Sequence, residues 1–169
     1  PQQERIARSL LDTLSLLAAS GVPTQWLLRL DGDSDAVGDT LSFLKSASVI
    51  QESSDGNKTI IPWLQGHVYR ETYLNDQKKI GEARTCAASV LSGIDVDRLE
   101  NGEQRRDETH HLIEQFLSVT SQDYSHSLFS EPRVSSKLAE ALHAATSLGM
   151  SQLALGLTDS VTRACDALG

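Results

Sequence analysis

The chain has 169 residues, 39% hydrophobic and 22% charged, with aromatics at only 5%, which allows one medium or two small domains with aliphatic, helix-packed cores. Its net charge of −8 and pI near 5.0 run against the basic face that phosphate binding needs, so nucleic-acid reading would require a local patch. No apolar run approaches the roughly 20 residues of a bilayer span, and no basic-plus-apolar leader stands at Pro1, so a cytoplasmic setting and no membrane partner are expected. The opening at Pro1 without a Met suits a piece of a longer protein.

Residues 3–19 place Ile6, Leu10, Leu14 and Leu17 at helical spacing, widened by Leu11 and Leu16. Ser20-Gly21 ends that helix, Gly21 suiting the left-handed conformation. Pro23 introduces a short second helix over 25–30. Asp31-Gly32-Asp33-Ser34 is a turn whose Asp33 or Ser34 can cap a third helix, with Val37, Leu41 and Leu44 inward, Phe43 alongside and an end near Lys45. Val49-Ile50-Gln51-Glu52 and Thr59-Ile60-Ile61 flank Asp55-Gly56-Asn57, a hairpin signal with a loop longer than two residues. Pro62 starts a fourth helix, 63–75, with Leu64, Val68 and Tyr69 expected inward.

The second half reads as helices. Residues 77–92 put Ile80, Ala83, Ala87 and Val90 on one face. Gly93 stops them, and residues 94–102 connect, with a turn of helix at 96–99. Residues 103–120 form a helix with Leu112, Ile113, Phe116 and Leu117 at its apolar end. The Ser-rich stretch 121–134, containing Pro132, reads as a loop. Residues 136–148 and 151–168 are helices joined at Gly149, with Ala139, Ala141, Ala144 and Ala145 facing Leu153, Ala154, Leu157, Val161 and Ala164. The expected architecture is mainly α: a winged helix (three helices plus a hairpin) over 1–75, then a tetratricopeptide-like arm of antiparallel helix pairs over 76–169.

Three stretches carry a family resemblance. They are Leu14-Ser15-Leu16-Leu17-Ala18-Ala19 before Val22-Pro23, the run from Leu41-Ser42-Phe43-Leu44 to Val49-Ile50, and Trp63-Leu64-Gln65-Gly66-His67-Val68-Tyr69-Arg70-Glu71. Over about residues 6–75 the order resembles the winged-helix domain that follows the nucleotide-binding core in NB-ARC (STAND-class) regulatory ATPases. Many bacterial members of that class end in tetratricopeptide repeats. The resemblance implies a non-catalytic hinge whose partner is the adjacent nucleotide-binding domain of the same chain, alongside protein partners. A His usually ends the second wing strand in that family and senses nucleotide. Here Ile61-Pro62 stands in its place, with no hydrogen-bonding side chain and no N–H at Pro62, so the resemblance does not carry nucleotide sensing.

Chemistry is sparse elsewhere. There is no GxxxxGK[ST] phosphate loop and no Gly-x-Ser-x-Gly elbow, so neither catalysis nor a cofactor is expected of this chain. The third helix offers Asp35, Asp39 and only Lys45, and up to residue 78 seven Lys/Arg stand against ten Asp/Glu, a net of −3; a DNA-binding regulator is the alternative this disfavours. Asp31-Asp33-Asp35 lacks the glycine and terminal Glu of a calcium loop. His110 and His111 are adjacent and diverge by about 100° on a helix, and pairing either with Glu114 gives two ligands, short of a zinc site. Cys86 and Cys165 lie on helical apolar stripes and read as buried, reduced thiols. A helical peptide-binding adaptor built on residues 136–168 is a further alternative, though isolated repeat pairs bury little. Trp26 and Trp63 are the candidate interaction residues, each able instead to pack the first core.

Overall fold

The computed structural model describes residues 1–168. Helix makes up 74% and strand 4%, so the protein is mainly α with one small sheet. Its contacts divide it into two compact units, Pro1–Val90 and a second from Leu91 on, where the sequence reading placed the change at 75/76.

The first unit opens with α1 (Gln2–Leu16), whose Ile6, Leu10 and Leu14 are buried together with Leu17 just beyond its end. The chain reverses at Gly21, where φ is +110°, and an added Cβ would lie 2.8 Å from Ile60 Cγ1. Glycine is required there twice over, for the backbone angle and for the close approach. Next come β1 (Val22–Pro23), α2 (Thr24–Leu27) and α3 (Ser34–Ser46). Asp33 caps α3 by accepting from Ala36 N–H at 3.0 Å, as its position before the apolar stripe predicts.

Val49 and Ile50, expected to begin the hairpin, instead close α3. Ser48 takes the left-handed conformation (φ 59°), and the Val49 N–H returns to the Leu44 carbonyl at 3.0 Å, a helix-ending geometry that usually uses Gly. The hairpin strands are β2 (Gln51–Glu52) and β3 (Lys58–Ile60). Sheet order is β1-β3-β2, antiparallel throughout, with Val22 opposite Thr59 and Gln51 opposite Ile60. Strand β1 escaped the sequence reading because two residues show no period. A Lys45–Glu52 ion pair ties α3 to β2.

Helix α4 (Trp63–Tyr73) corrects an expectation. Leu64 and Val68, assigned inward, are 59% and 51% exposed, while Gly66 and Tyr69 are buried. Polar anchors set this rotation: the Tyr69 hydroxyl donates to Asp12 Oδ1 at 2.6 Å, and Arg70 Nη1 donates to the Ser15 carbonyl at 3.1 Å. At Gly66 an added Cβ would meet the Arg70 guanidinium at 3.3 Å and Ile61 at an ordinary 3.5 Å. Helix α5 (Gln77–Ser92) follows, with Ala83, Ala87 and Val90 buried.

In the second unit a 3₁₀ turn (Val96–Arg98) leads to α6 (Gly102–Ser121), capped by Asn101, which accepts from the N–H groups of Glu103 and Gln104. Leu112, Ile113 and Phe116 form the core with Leu128, Val134 and Leu157. Helix α6 packs on both α7 (Pro132–Ser147) and α8 (Ser151–Leu168). The expected loop over 121–134 is instead a 3₁₀ helix (Asp123–Ser130) running into α7, with Leu128 fully buried and Pro132 at the first turn of α7, where its missing N–H costs nothing. Gly149 (φ 73°) joins α7 to α8. Ala141, Ala144 and Ala145 are buried as expected of the small-residue stripe, whereas Ala139 is exposed. Both thiols are free as expected, but their burial is not: Cys86 is half-buried and Cys165 exposed.

Candidate interaction face

The two tryptophans part company. Trp26, in the single turn of α2, is 2% exposed and belongs to the first core, so it offers no surface and the candidate role assigned to it is withdrawn. Trp63 opens α4 with 74% of its surface exposed, its ring stacked on His67 at a centroid distance of 5.5 Å and an interplanar angle of 3°. An exposed indole backed by a second ring is held in place without being consumed by the core.

A groove of about 530 Å³ lies between α1 and α4. Ala7, Arg8 and Leu11 line it from α1, and Leu64, Val68 and Tyr73 from α4. The rotation of α4 described above creates this face: turning Tyr69 toward Asp12 turns Leu64 and Val68 outward. Tyr73, half exposed, packs its ring against Tyr69 at 5.1 Å. Leu64, Val68 and Tyr73 thus leave large apolar side chains open along this groove, and Trp63 stands exposed at the start of the same helix, a surface of the kind that marks interaction sites.

Beneath this face Asp12 and Tyr69 form a buried hydrogen-bonded pair. Burial raises the pKa of Asp12, against the lowering effects of the Tyr69 hydrogen bond and the Arg8 charge, with Glu82 adding to the rise. Burial also raises the Tyr69 phenol, followed by its bond to Asp12. Each group is pushed away from its charged form, which suits a structural clamp between α1 and α4.

The acidic turn is likewise spent on structure, Arg5 gripping Asp31 through both carboxylate oxygens at 3.1 and 2.9 Å while Asp33 caps α3. On α3 the exposed residues include Asp35, Asp39, Ser42 and Phe43, and Lys45 is paired with Glu52. In the wing loop Asp55 accepts from the Ser53 hydroxyl and the Asn57 N–H, contacts that hold its carboxyl below the usual range.

On α6 the structure brings together what the spacing argument set apart. His110, His111 and Glu114 each offer a donor atom, and the three atoms lie within 4.8 Å of one another. The rings sit edge-to-face at 6.4 Å, so the imidazoles converge although their Cβ directions diverge. Among the described residues no helix is long and apolar enough to cross a membrane. No family model, curated protein or solved structure matches the chain.

Proposed function

We propose that this chain is a non-catalytic regulatory module that docks through the α1–α4 face of its first unit, a winged helix serving as the intramolecular hinge of a STAND-type signalling ATPase in the cytoplasm. The observation that carries this reading is the set of exposed apolar residues on α4, Leu64, Val68 and Tyr73 along the groove and Trp63 at the start of the helix. Such a face gains free energy only when something covers it.

The chain order supports a winged helix. It runs helix, strand, helix, helix, strand, strand, and the first strand pairs with the last in a β1-β3-β2 sheet. The position that reads DNA in such folds is α3. Its exposed Asp35 and Asp39, with Lys45 engaged by Glu52, favour a protein partner over a polyanion. In the second unit, α7 and α8 joined at Gly149 suit a tetratricopeptide-like arm. The partner in this reading is the nucleotide-binding domain of the same polypeptide. Differential contact in two nucleotide states would carry the signal, because a ligand shifts an equilibrium only by its differential affinity.

The test is a titration of the whole chain with that nucleotide-binding domain loaded with ATP or with ADP, beside labelled duplex DNA at low and moderate salt. Binding to the domain that changes with the nucleotide is the expected result. Salt-sensitive DNA binding would overturn the reading in favour of a transcriptional regulator. Failure to bind the domain in either state, or the lack of such a domain in the encoded protein, would overturn it as well.

A further inference from the structure

We propose that α6 carries a binding site for a first-row transition dication, with zinc as its probe, formed by His110, His111 and Glu114. The inference lies wholly in the second unit and is independent of the docking face.

Three donors within 4.8 Å of one another fit inside a circle of radius about 2.8 Å, against zinc bonds of roughly 2.0–2.2 Å. Closing the triangle therefore takes side-chain movements of under about 1 Å, within one rotamer well. The set is already partly ordered, since the His111 and Glu114 side chains are 30% and 29% exposed and His111 Nδ1 lies 3.8 Å from Glu114 Oε2. Helical spacing explains the convergence: Glu114 stands four residues from His110 and three from His111, so one carboxylate serves both rings.

Two imidazoles with one carboxylate select the class of ion. Nitrogen donors suit zinc, nickel and copper, while magnesium and calcium want an all-oxygen shell. Three protein ligands leave a fourth tetrahedral position for water or an outside group. Room exists beside His110, where a hollow of about 380 Å³ is also lined by Asp107, Met150 and Gln152. Asp107 lies one turn before His110 and His111 on the same stripe, so its charge adds to the attraction for a cation. The Arg106 guanidinium in that wall donates to the Leu148 carbonyl at 2.9 Å.

The experiment measures zinc uptake by the whole chain, in a Cys165→Ser background, by competition with a chromophoric chelator and by calorimetry. One zinc per chain is expected. Affinity should fall by at least about tenfold in His110→Ala and in Glu114→Gln, stay unchanged in His67→Ala, and be unaffected by excess magnesium or calcium. His110 is exposed, so its replacement should leave the helical circular-dichroism signal intact. Absence of zinc uptake at micromolar concentration, or uptake that survives both ligand substitutions, would overturn the site.

Discussion

Trp63→Ala and Trp26→Ala separate docking from folding, because one indole faces solvent and the other is buried. A tryptophan presents about 150–250 Å² of burial. With Trp63 74% exposed, roughly 110–185 Å² remains for a partner to cover, an upper bound of about 3–5 kcal/mol at ~25 cal/mol per Å². Incomplete coverage and ordering costs reduce that figure. A loss of about 2–3 kcal/mol is expected for Trp63→Ala, or a 30- to 150-fold weaker Kd, in the range of an interfacial anchor. Folding should change by less than about 1 kcal/mol, since Trp63 is 74% exposed and stacks on His67 at the surface.

Trp26→Ala should behave in the opposite way. At 2% exposure it leaves a cavity in the first core and costs about 3–5 kcal/mol of stability. Urea unfolding followed by circular dichroism gives the stability of each variant, and titration with the nucleotide-binding domain gives its affinity. The reasoning is refuted if Trp63→Ala destabilises as much as Trp26→Ala, or if the folded Trp63→Ala chain binds the domain as tightly as the unaltered chain.

Asp12→Asn tests the clamp beneath the face. The carboxyl of Asp12 is raised above its unfolded value of 3.8 by burial, so its protonated form favours the folded state. Its contribution is present at low pH and lost as pH rises through the folded pKa. The stability of Asp12→Asn relative to the unaltered chain should therefore rise as pH increases above the unfolded value of 3.8 in urea titrations, and a relative stability that falls instead would contradict the assignment. Gly21→Ala should cost about 2–3 kcal/mol, from positive φ plus the 2.8 Å approach to Ile60, whereas Gly149→Ala, with nothing within 4 Å, should cost about 1 kcal/mol; equal costs in thermal melts would remove the role given to the close approach. Lys137→Met deprives the Ile94 carbonyl and Glu140 of a buried ammonium and should lower stability by about 2–4 kcal/mol, the low end reflecting Glu140's 23% exposure. An unchanged urea midpoint would mean that desolvating the pair cancels its attraction.

What the sequence disclosed depended on how local the determining interaction is. Helices at 77–92 and 151–168 were readable with the bounds the structure has, since a single apolar stripe and a stop at each end decide them. Val49-Ile50 was misassigned because β-branching is a weak preference and Ser48 could adopt the left-handed turn that lets both residues finish α3. In 121–134 the many serines concealed the buried anchors Leu128 and Val134, two apolar residues too widely spaced to show a period. The closeness of the histidine donor atoms was not legible for another reason. The 100° rule describes Cβ directions, while the donor atoms lie at the far ends of rings that can turn toward each other.

Helix α4 shows why the candidate face itself was not legible. Its sequence holds two competing stripes, Leu64 and Val68 on one side and Gly66, Tyr69 and Arg70 on the other. By hydrophobicity alone the first should face inward. The second prevails because Asp12 and Ser15 wait for it, more than fifty residues earlier in the chain. An Asp12 carboxyl left without the Tyr69 hydroxyl would lose a buried hydrogen bond and be left as a desolvated polar group, at a cost of about 1–3 kcal/mol. Half-exposed Leu and Val side chains forgo a similar or smaller amount of burial energy. The long-range polar contact thus outweighs the local apolar pattern, and the displaced stripe becomes surface. An interaction face and a core stripe have the same periodic signature, so only the partner of the opposing stripe tells them apart. Replacing Tyr69 should therefore disturb the face by letting α4 turn, even though Tyr69 itself is buried.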